Sequence, residues 1–195
     1  MDMTAGDTYN LLMKDDPFTK RTLFEELYPY MSSVALRFSK NETQARELVR
    51  TCFDSIVNSY IQSKNRAADF SDYLQKEFAG EAVGFIKSIR SEYYMSSTVY
   101  APAERDKTIN LFDSNEIIDH NTADTPVVTK SIQDLVPSQR LVFNLFVVDG
   151  LSTEQISEIL ETSEQTVKSN LEKARYHFQK NIEKHYKQQK HEQAL

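Results

Sequence analysis

Between Leu151 and Phe178 the chain reads LSTEQISEILETSEQTVKSNLEKARYHF, a stretch dense in side chains that hydrogen-bond the edges of flat partners. Ser163, Gln165, Thr166, Lys168, Ser169, Glu172, Lys173 and Arg175 are the relevant residues. Glutamine matches the donor and acceptor on the edge of adenine, glutamate accepts from the amino group of cytosine, and serine tolerates several bases, while lysine serves guanine or a phosphate. Presented together on one helix, such a set reads base edges in the major groove of DNA. A helix beginning near Ser163 would also point the positive end of its dipole at a phosphate beside Ser163 and Thr166.

The elements that position these residues follow from caps and periodicity. Ser152 is a good N-cap and Gln155, three residues on, completes a capping box, so a helix starts there and carries Ile156, Ile159 and Leu160 inward. Glu161, Thr162 and Ser163 break the pattern. Thr162 or Ser163 then caps a second helix with an apolar face of Val167, Leu171, Ala174, Phe178 and Ile182. Two short helices joined by a tight turn are expected, a pattern that plain helical hairpins share with helix-turn-helix DNA readers.

Charge points the same way. The whole chain of 195 residues carries a net charge of -6, which argues against a protein that coats nucleic acid without regard to sequence. From Ser163 to Lys190, however, Lys168, Lys173, Arg175, Lys180, Lys184, Lys187 and Lys190 face only Glu164, Glu172 and Glu183. A local positive footprint within an acidic protein suits phosphates.

Upstream, the long apolar patterns before residue 91 follow a helical period. One runs through Phe24, Leu27, Tyr28, Met31, Val34, Ala35 and Phe38, and a second through Ala45, Leu48, Val49, Cys52, Phe53, Ile56, Val57 and Tyr60. A third, with Phe70, Tyr73, Leu74, Phe78, Ala82, Phe85, Ile86 and Ile89, supplies the remaining surface of a three-helix core. The expected organisation is all-α. A mobile arm (1–17) precedes a three-helix domain (18–95). An acidic linker (96–130), with a short helix around Ile109 to Ile118, leads to a helix-turn-helix domain (131–186) and a frayed tail (187–195). The N-terminus lacks a signal-peptide pattern and no window of membrane-spanning length is free of charge, so a soluble, cytoplasmic protein without membrane insertion is expected. The single cysteine, Cys52, reads as a buried small hydrophobe.

The segment from Ile132 to Arg175 resembles the fourth region of bacterial RNA polymerase sigma factors of the extracytoplasmic-function group, within the sigma-70 family. Leu135, Val136, Pro137, Arg140, Val142 and Phe143 fit the family's opening. Gly150, Leu151, Ser152, Glu154, Ile156, Glu158, Ile159 and Leu160 fit its first helix, and Ser163, Thr166, Val167, Lys168, Ser169, Leu171, Ala174 and Arg175 its recognition helix. Glu161 stands where the family usually has glycine in the turn. The stretch FEELYPYMSSVALRFSKNETQARELVRTCFDSI is similar, more loosely, to the family's second region. Two departures fall there: Arg50 and Thr51 replace an amide and an acid, and Gly80 and Gly84 replace Asn and Asp.

The resemblance implies a region 2-like domain and a region 4-like domain, with core RNA polymerase and promoter DNA as partners and an anti-sigma factor as a further possible one. Glu47, Leu48, Arg50 and Thr51 would meet polymerase, and Lys168, Ser169, Glu172 and Lys173 the upstream promoter element. The helix from Phe70 would capture unpaired bases, with Phe78, Phe85, Tyr93 or Tyr94 stacking on them unless they pack in the core. The rival readings are a free-standing helix-turn-helix regulator, or a diverged sigma-like protein that binds polymerase or an anti-sigma partner without melting DNA.

Enzyme signatures are missing: there is no glycine-rich phosphate loop, no His-Glu-x-x-His, no paired cysteines and no nucleophile elbow. No catalytic residue, cofactor, metal or small-molecule substrate is therefore expected. His177, His185 and His191 do not share a face at metal-ligand spacing and read as surface histidines.

Overall fold

The computed structural model describes residues 4–64, 67–89 and 125–192, and every regular element among them is helical. The chain divides into two compact units, Met1–Ser88 and Ile89–Leu195.

The first unit holds α1 (Ala5–Met13), α2 (Pro17–Phe38), α3 (Glu42–Ser63) and α4 (Phe70–Ser88). Helices α2, α3 and α4 are the expected three-helix core, and they pack on one another pairwise. Each of the first three helices has a side-chain cap at its start. Thr4 forms a capping box with Asp7, Asp16 accepts from the Thr19 amide, and Asn41 from that of Gln44. Residues 5–13, expected as part of an arm, are instead a packed helix that touches α2, α3 and α4. Tyr9 and Leu12 are buried there, and the Tyr9 hydroxyl donates to the Ile61 carbonyl at 2.9 Å, satisfying an acceptor in the last turn of α3.

An aromatic cluster ties helices of this unit together. Tyr60 on α3 lies 5.7 Å from the ring of Tyr9, 5.2 Å from Phe70 and 5.3 Å from Tyr73, and its hydroxyl donates to the Ala68 carbonyl at 2.7 Å. Edge-on rings at such separations add to what area burial alone provides. Phe78 is fully buried, so its role is core packing, while Tyr28 sits at the solvent edge of its stripe. Tyr93, Tyr94 and the helix expected near Ile109 lie outside the described residues. Cys52 is 1 % exposed, and burial, with a smaller contribution from Glu81, pushes its thiol up to about 12. It stays neutral and unreactive in the folded chain.

Gly80 and Gly84 stand on the outer side of α4, and a Cβ at either would meet nothing within 4 Å. Glycine within a helix costs about 1 kcal/mol relative to alanine through backbone entropy. Replacing both with alanine is therefore expected to stabilise the first unit by about 1 to 2 kcal/mol, read as a higher urea midpoint. An unchanged or lower midpoint would refute it.

The second unit holds α5 (Thr125–Gln133), α6 (Pro137–Phe143), a π-helical segment (Asn144–Val148), α7 (Thr153–Leu160) and α8 (Glu164–Glu192). Its start corrects the expected linker boundary: α5 begins at Thr125 and buries Val127. Pro126 is accommodated because a helix's first-turn amides need no intrahelical acceptor. The other end also differs, since α8 continues as helix through Lys187 to Glu192. Ile132, Leu135, Phe143, Ala174, Phe178 and Ile182 form the core, with Val128 and Tyr186 against it.

At its centre Arg140 is 2 % exposed, and its Nη1 donates to the carbonyls of Gln133 (2.8 Å) and Leu135 (2.9 Å). A buried guanidinium thus closes the C-terminal end of α5, where backbone acceptors would otherwise go unpaired. His177 and His185, expected at the surface, instead tie α8 to the helix from Pro137 and to the turn before it. His177 Nδ1 lies 2.8 Å from Gln139 Oε1, and His185 Nε2 3.0 Å from Asp134 Oδ2.

Candidate nucleic-acid interface

Helices α7 and α8 form the helix-turn-helix, and each boundary has a local cause. Ser152 Oγ accepts from the Gln155 amide at 3.1 Å while Gln155 Oε1 accepts from the Ser152 amide at 2.9 Å, the reciprocal box expected at that position. Before α7, Gly150 takes φ +70 and lets the chain leave the π-helical segment, with the Leu151 amide returning to the Leu145 carbonyl at 2.9 Å. Of the two candidate caps for α8, Ser163 serves: its Oγ accepts from the Thr166 amide at 3.1 Å and lies 2.9 Å from Thr166 Oγ1.

The turn residue Glu161 has φ 53 and ψ 47, the left-handed conformation that favours glycine. The turn keeps its shape because the Thr162 amide bonds the Ser157 carbonyl at 3.0 Å and the Glu161 amide that of Glu158 at 3.2 Å. Glu161→Gly is expected to raise the stability of the second unit by roughly 0.5 to 1 kcal/mol, the relieved strain less the greater unfolded-state freedom of glycine. A lower denaturation midpoint would mean that contacts of the Glu161 side chain outweigh the strain.

Ile156, Leu160, Val167, Leu171 and Ala174 are buried between α7, α8 and the rest of the unit. Ile159 departs from the expectation that it points inward: it is 40 % exposed, because so short a helix has room for only Ile156 and Leu160 on its inner stripe. On α8, at about 100° per residue, Gln165, Ser169, Glu172 and Lys173 lie about 140° to 240° from the inward Val167 and share the outer face. Gln165, Glu172 and Lys173 are exposed and Ser169 is half-buried. Lys168 and Thr166 flank this face on opposite edges, and both are exposed.

Arg175 stands further round. Its guanidinium lies 5.5 Å from the centroid of the Phe146 ring, so this side chain braces α8 against the π-helical segment at the margin of the outer face.

One residue that belongs with this set is absent from the expected contacts. Glu164, the first residue of α8, places Oε2 2.8 Å from Lys168 Nζ and 3.2 Å from Thr153 Oγ1. Lys168, and then Thr153, hold the Glu164 carboxyl below its ordinary range. The spacing of four to Lys168 is visible in the sequence as a helical ion pair, whereas the contact with Thr153 needs the turn geometry.

In the first unit, Glu47, Arg50 and Thr51 are exposed at positions i, i+3 and i+4 of α3 and so share a face. Leu48 corrects the expected polymerase set. It is 0 % exposed, and its side chain packs in the helical core instead of facing a partner.

Residues 128–178 match the family described as Sigma-70, region 4. No curated protein matches the chain. Among solved structures, it is similar to the sigma factor RpoE in its co-crystal structure with the anti-sigma factor NepR from Bartonella quintana. The identity is 18 %, over 84 % of this chain and 98 % of that one, with a TM-score of 0.47. Among the described residues, no helix is long and apolar enough to cross a membrane. The matched segment takes in most of α5, the whole of α7 and α8 as far as Phe178, so the match to this family lies within the second unit of the chain.

Proposed function

We propose that this chain is a non-enzymatic, cytoplasmic sigma factor of the extracytoplasmic-function group, which binds core RNA polymerase and directs it to promoters. The observation that carries this reading is the outer face of α8, where Gln165, Ser169, Glu172 and Lys173 stand together at the start of the second helix of a sigma region 4 helix-turn-helix. In that motif the N-terminal half of the second helix reads base edges. Gln165 and Glu172 discriminate adenine and cytosine respectively, and Lys168 and Lys173 serve guanine or phosphate. Ser163 and Thr166, whose oxygens cluster at the helix start, receive a phosphate where the dipole is positive. Arg175 steadies the helix and offers a phosphate contact at its margin. In the first unit, Glu47, Arg50 and Thr51 form the polymerase-facing set, and an anti-sigma factor is a further partner consistent with this reading.

The test is to combine the purified chain with bacterial core RNA polymerase, measure co-elution, and then run abortive transcription on a genomic promoter library. Co-elution with new promoter-specific transcripts is the expected result. Co-elution without transcripts would point to a diverged polymerase-binding protein, and no association, with the chain binding duplex DNA by itself, to a free-standing regulator.

A further inference from the structure

Lys168 is the cation nearest the start of the recognition helix, and it is engaged in an ion pair on the helix surface. Its Nζ lies 2.8 Å from Glu164 Oε2, and the same carboxylate oxygen accepts from the Thr153 hydroxyl at 3.2 Å. The pair is therefore more constrained than an ordinary surface i, i+4 pair. Thr153 belongs to the first turn of α7, so the hydroxyl bridges the two helices of the motif and holds the carboxylate by a second contact. Glu164 also sits in the first turn of α8, where its charge offsets the positive end of the dipole that would otherwise attract phosphate. One carboxylate thus counteracts two sources of positive potential at the point where the helix would approach a duplex.

We infer that Glu164 sets the DNA affinity of this helix by holding Lys168 in an internal ion pair, so that a duplex must displace the carboxylate before Lys168 can serve base or phosphate. Glu164 is on this account a positioning residue acting through Lys168. The consequence is weak binding to arbitrary sequence: non-specific affinity comes almost wholly from cations that displace condensed counterions, and Lys168 contributes little while it is paired. Discrimination improves when the sequence-independent part of binding is suppressed. The inference rests on the proposed role of α8 as the recognition helix.

The experiment measures binding of the full chain to a random-sequence 30-base-pair duplex (about three turns of helix) by fluorescence anisotropy across a salt series. The variants are Glu164→Gln, Lys168→Met, their combination, Thr153→Val, and Lys168→Glu/Lys173→Glu. Glu164→Gln is expected to raise affinity about three- to tenfold at low ionic strength and to steepen the salt dependence by about one in log–log slope, the signature of one additional cation engaged. In the Lys168→Met background the same change should gain less than about twofold, because only the weaker offset of the helix dipole is left to relieve. Thr153→Val removes the bridge and leaves the ion pair, so it should gain less than Glu164→Gln.

Equal affinity of Glu164→Gln and the unaltered chain, or no binding by either, overturns the inference. So does an equal gain with and without Lys168, which would mean that Glu164 acts on DNA by its own charge. The failures are distinguishable. If Lys168→Glu/Lys173→Glu loses binding while Glu164→Gln behaves as the unaltered chain, only the role of Glu164 falls. If the double reversal binds as before, the recognition helix itself is misassigned.

Discussion

Replacing Arg140 with methionine is expected to destabilise the second unit by about 3 kcal/mol, because two buried carbonyls each lose a hydrogen bond from a charged donor, at about 1.5 to 3 kcal/mol apiece, offset in part because a charge is no longer buried. The side chain is almost wholly inaccessible, and a single nitrogen serves the Gln133 and Leu135 carbonyls at 2.8 and 2.9 Å. Methionine preserves most of the volume, so packing loss is small and the effect reports the polar contacts. Both carbonyls would lose the charged donor that closes the end of α5. Since domains hold only about 0.05 to 0.15 kcal/mol per residue of net stability, such a loss would be a large share of what a unit of this size holds. The conservative change Arg140→Lys is no remedy, because an ammonium is more strongly hydrated than a guanidinium and costs more to bury, and it lacks the planar fork of donors. The measurement is urea denaturation followed by circular dichroism. The methionine variant should show an early loss of helical signal together with loss of DNA binding. A midpoint equal to that of the unaltered chain would mean that the contacts of Arg140 contribute nothing net.

Where local chemistry determines structure, it can be read directly from the chain. The Ser152 and Gln155 box, the Ser163 cap and the apolar stripe of Val167, Leu171 and Ala174 are all decided within a few residues, and the helix-turn-helix stands where they place it. Legibility ends where a residue's role depends on distant partners. Residues 5–13 bury little apolar surface beyond Tyr9 and Leu12, too weak a stripe to announce a packed helix. What holds them is the long-range bond from Tyr9 to Ile61 and the ring of Tyr60. Pro126 suggests a linker because proline breaks helices more often than it opens them, yet at the start of α5 it removes no intrahelical bond. Leu48 resembles a partner contact because it stands among Glu47, Arg50 and Thr51, and only the helical phase of α3 separates it from them. Arg140 belongs to the recognised motif, but a sequence pattern cannot say that it points inward to close a helix.

The charge reversal Lys168→Glu/Lys173→Glu should reduce promoter binding by a factor of about 100 to 1000, or roughly 2.8 to 4.2 kcal/mol at tenfold per 1.4 kcal/mol. Each lysine that neutralises a phosphate contributes about 0.9 to the log–log salt slope, so losing both should flatten it by roughly two. Reversal does more than removal, because each new glutamate repels the phosphates that the lysine attracted. Its position within the helix adds a second cost. A glutamate at position 168 faces Glu164, now deprived of its partner at 2.8 Å, and stands four residues from Glu172. Like charges at that spacing weaken a helix by a few tenths of a kcal/mol each. Lys168→Met/Lys173→Met separates the two effects: it removes the cations without the repulsion and should lose about 10- to 100-fold while keeping the flattened slope. Neither variant touches Glu47, Arg50 or Thr51, the proposed polymerase-facing set, so on that proposal association with core polymerase should persist through the first unit. Retained promoter affinity in the reversed variant would show that the outer face of α8 does not meet DNA. Lost affinity with an unchanged salt slope would show that folding of the helix, not its charge, had been damaged.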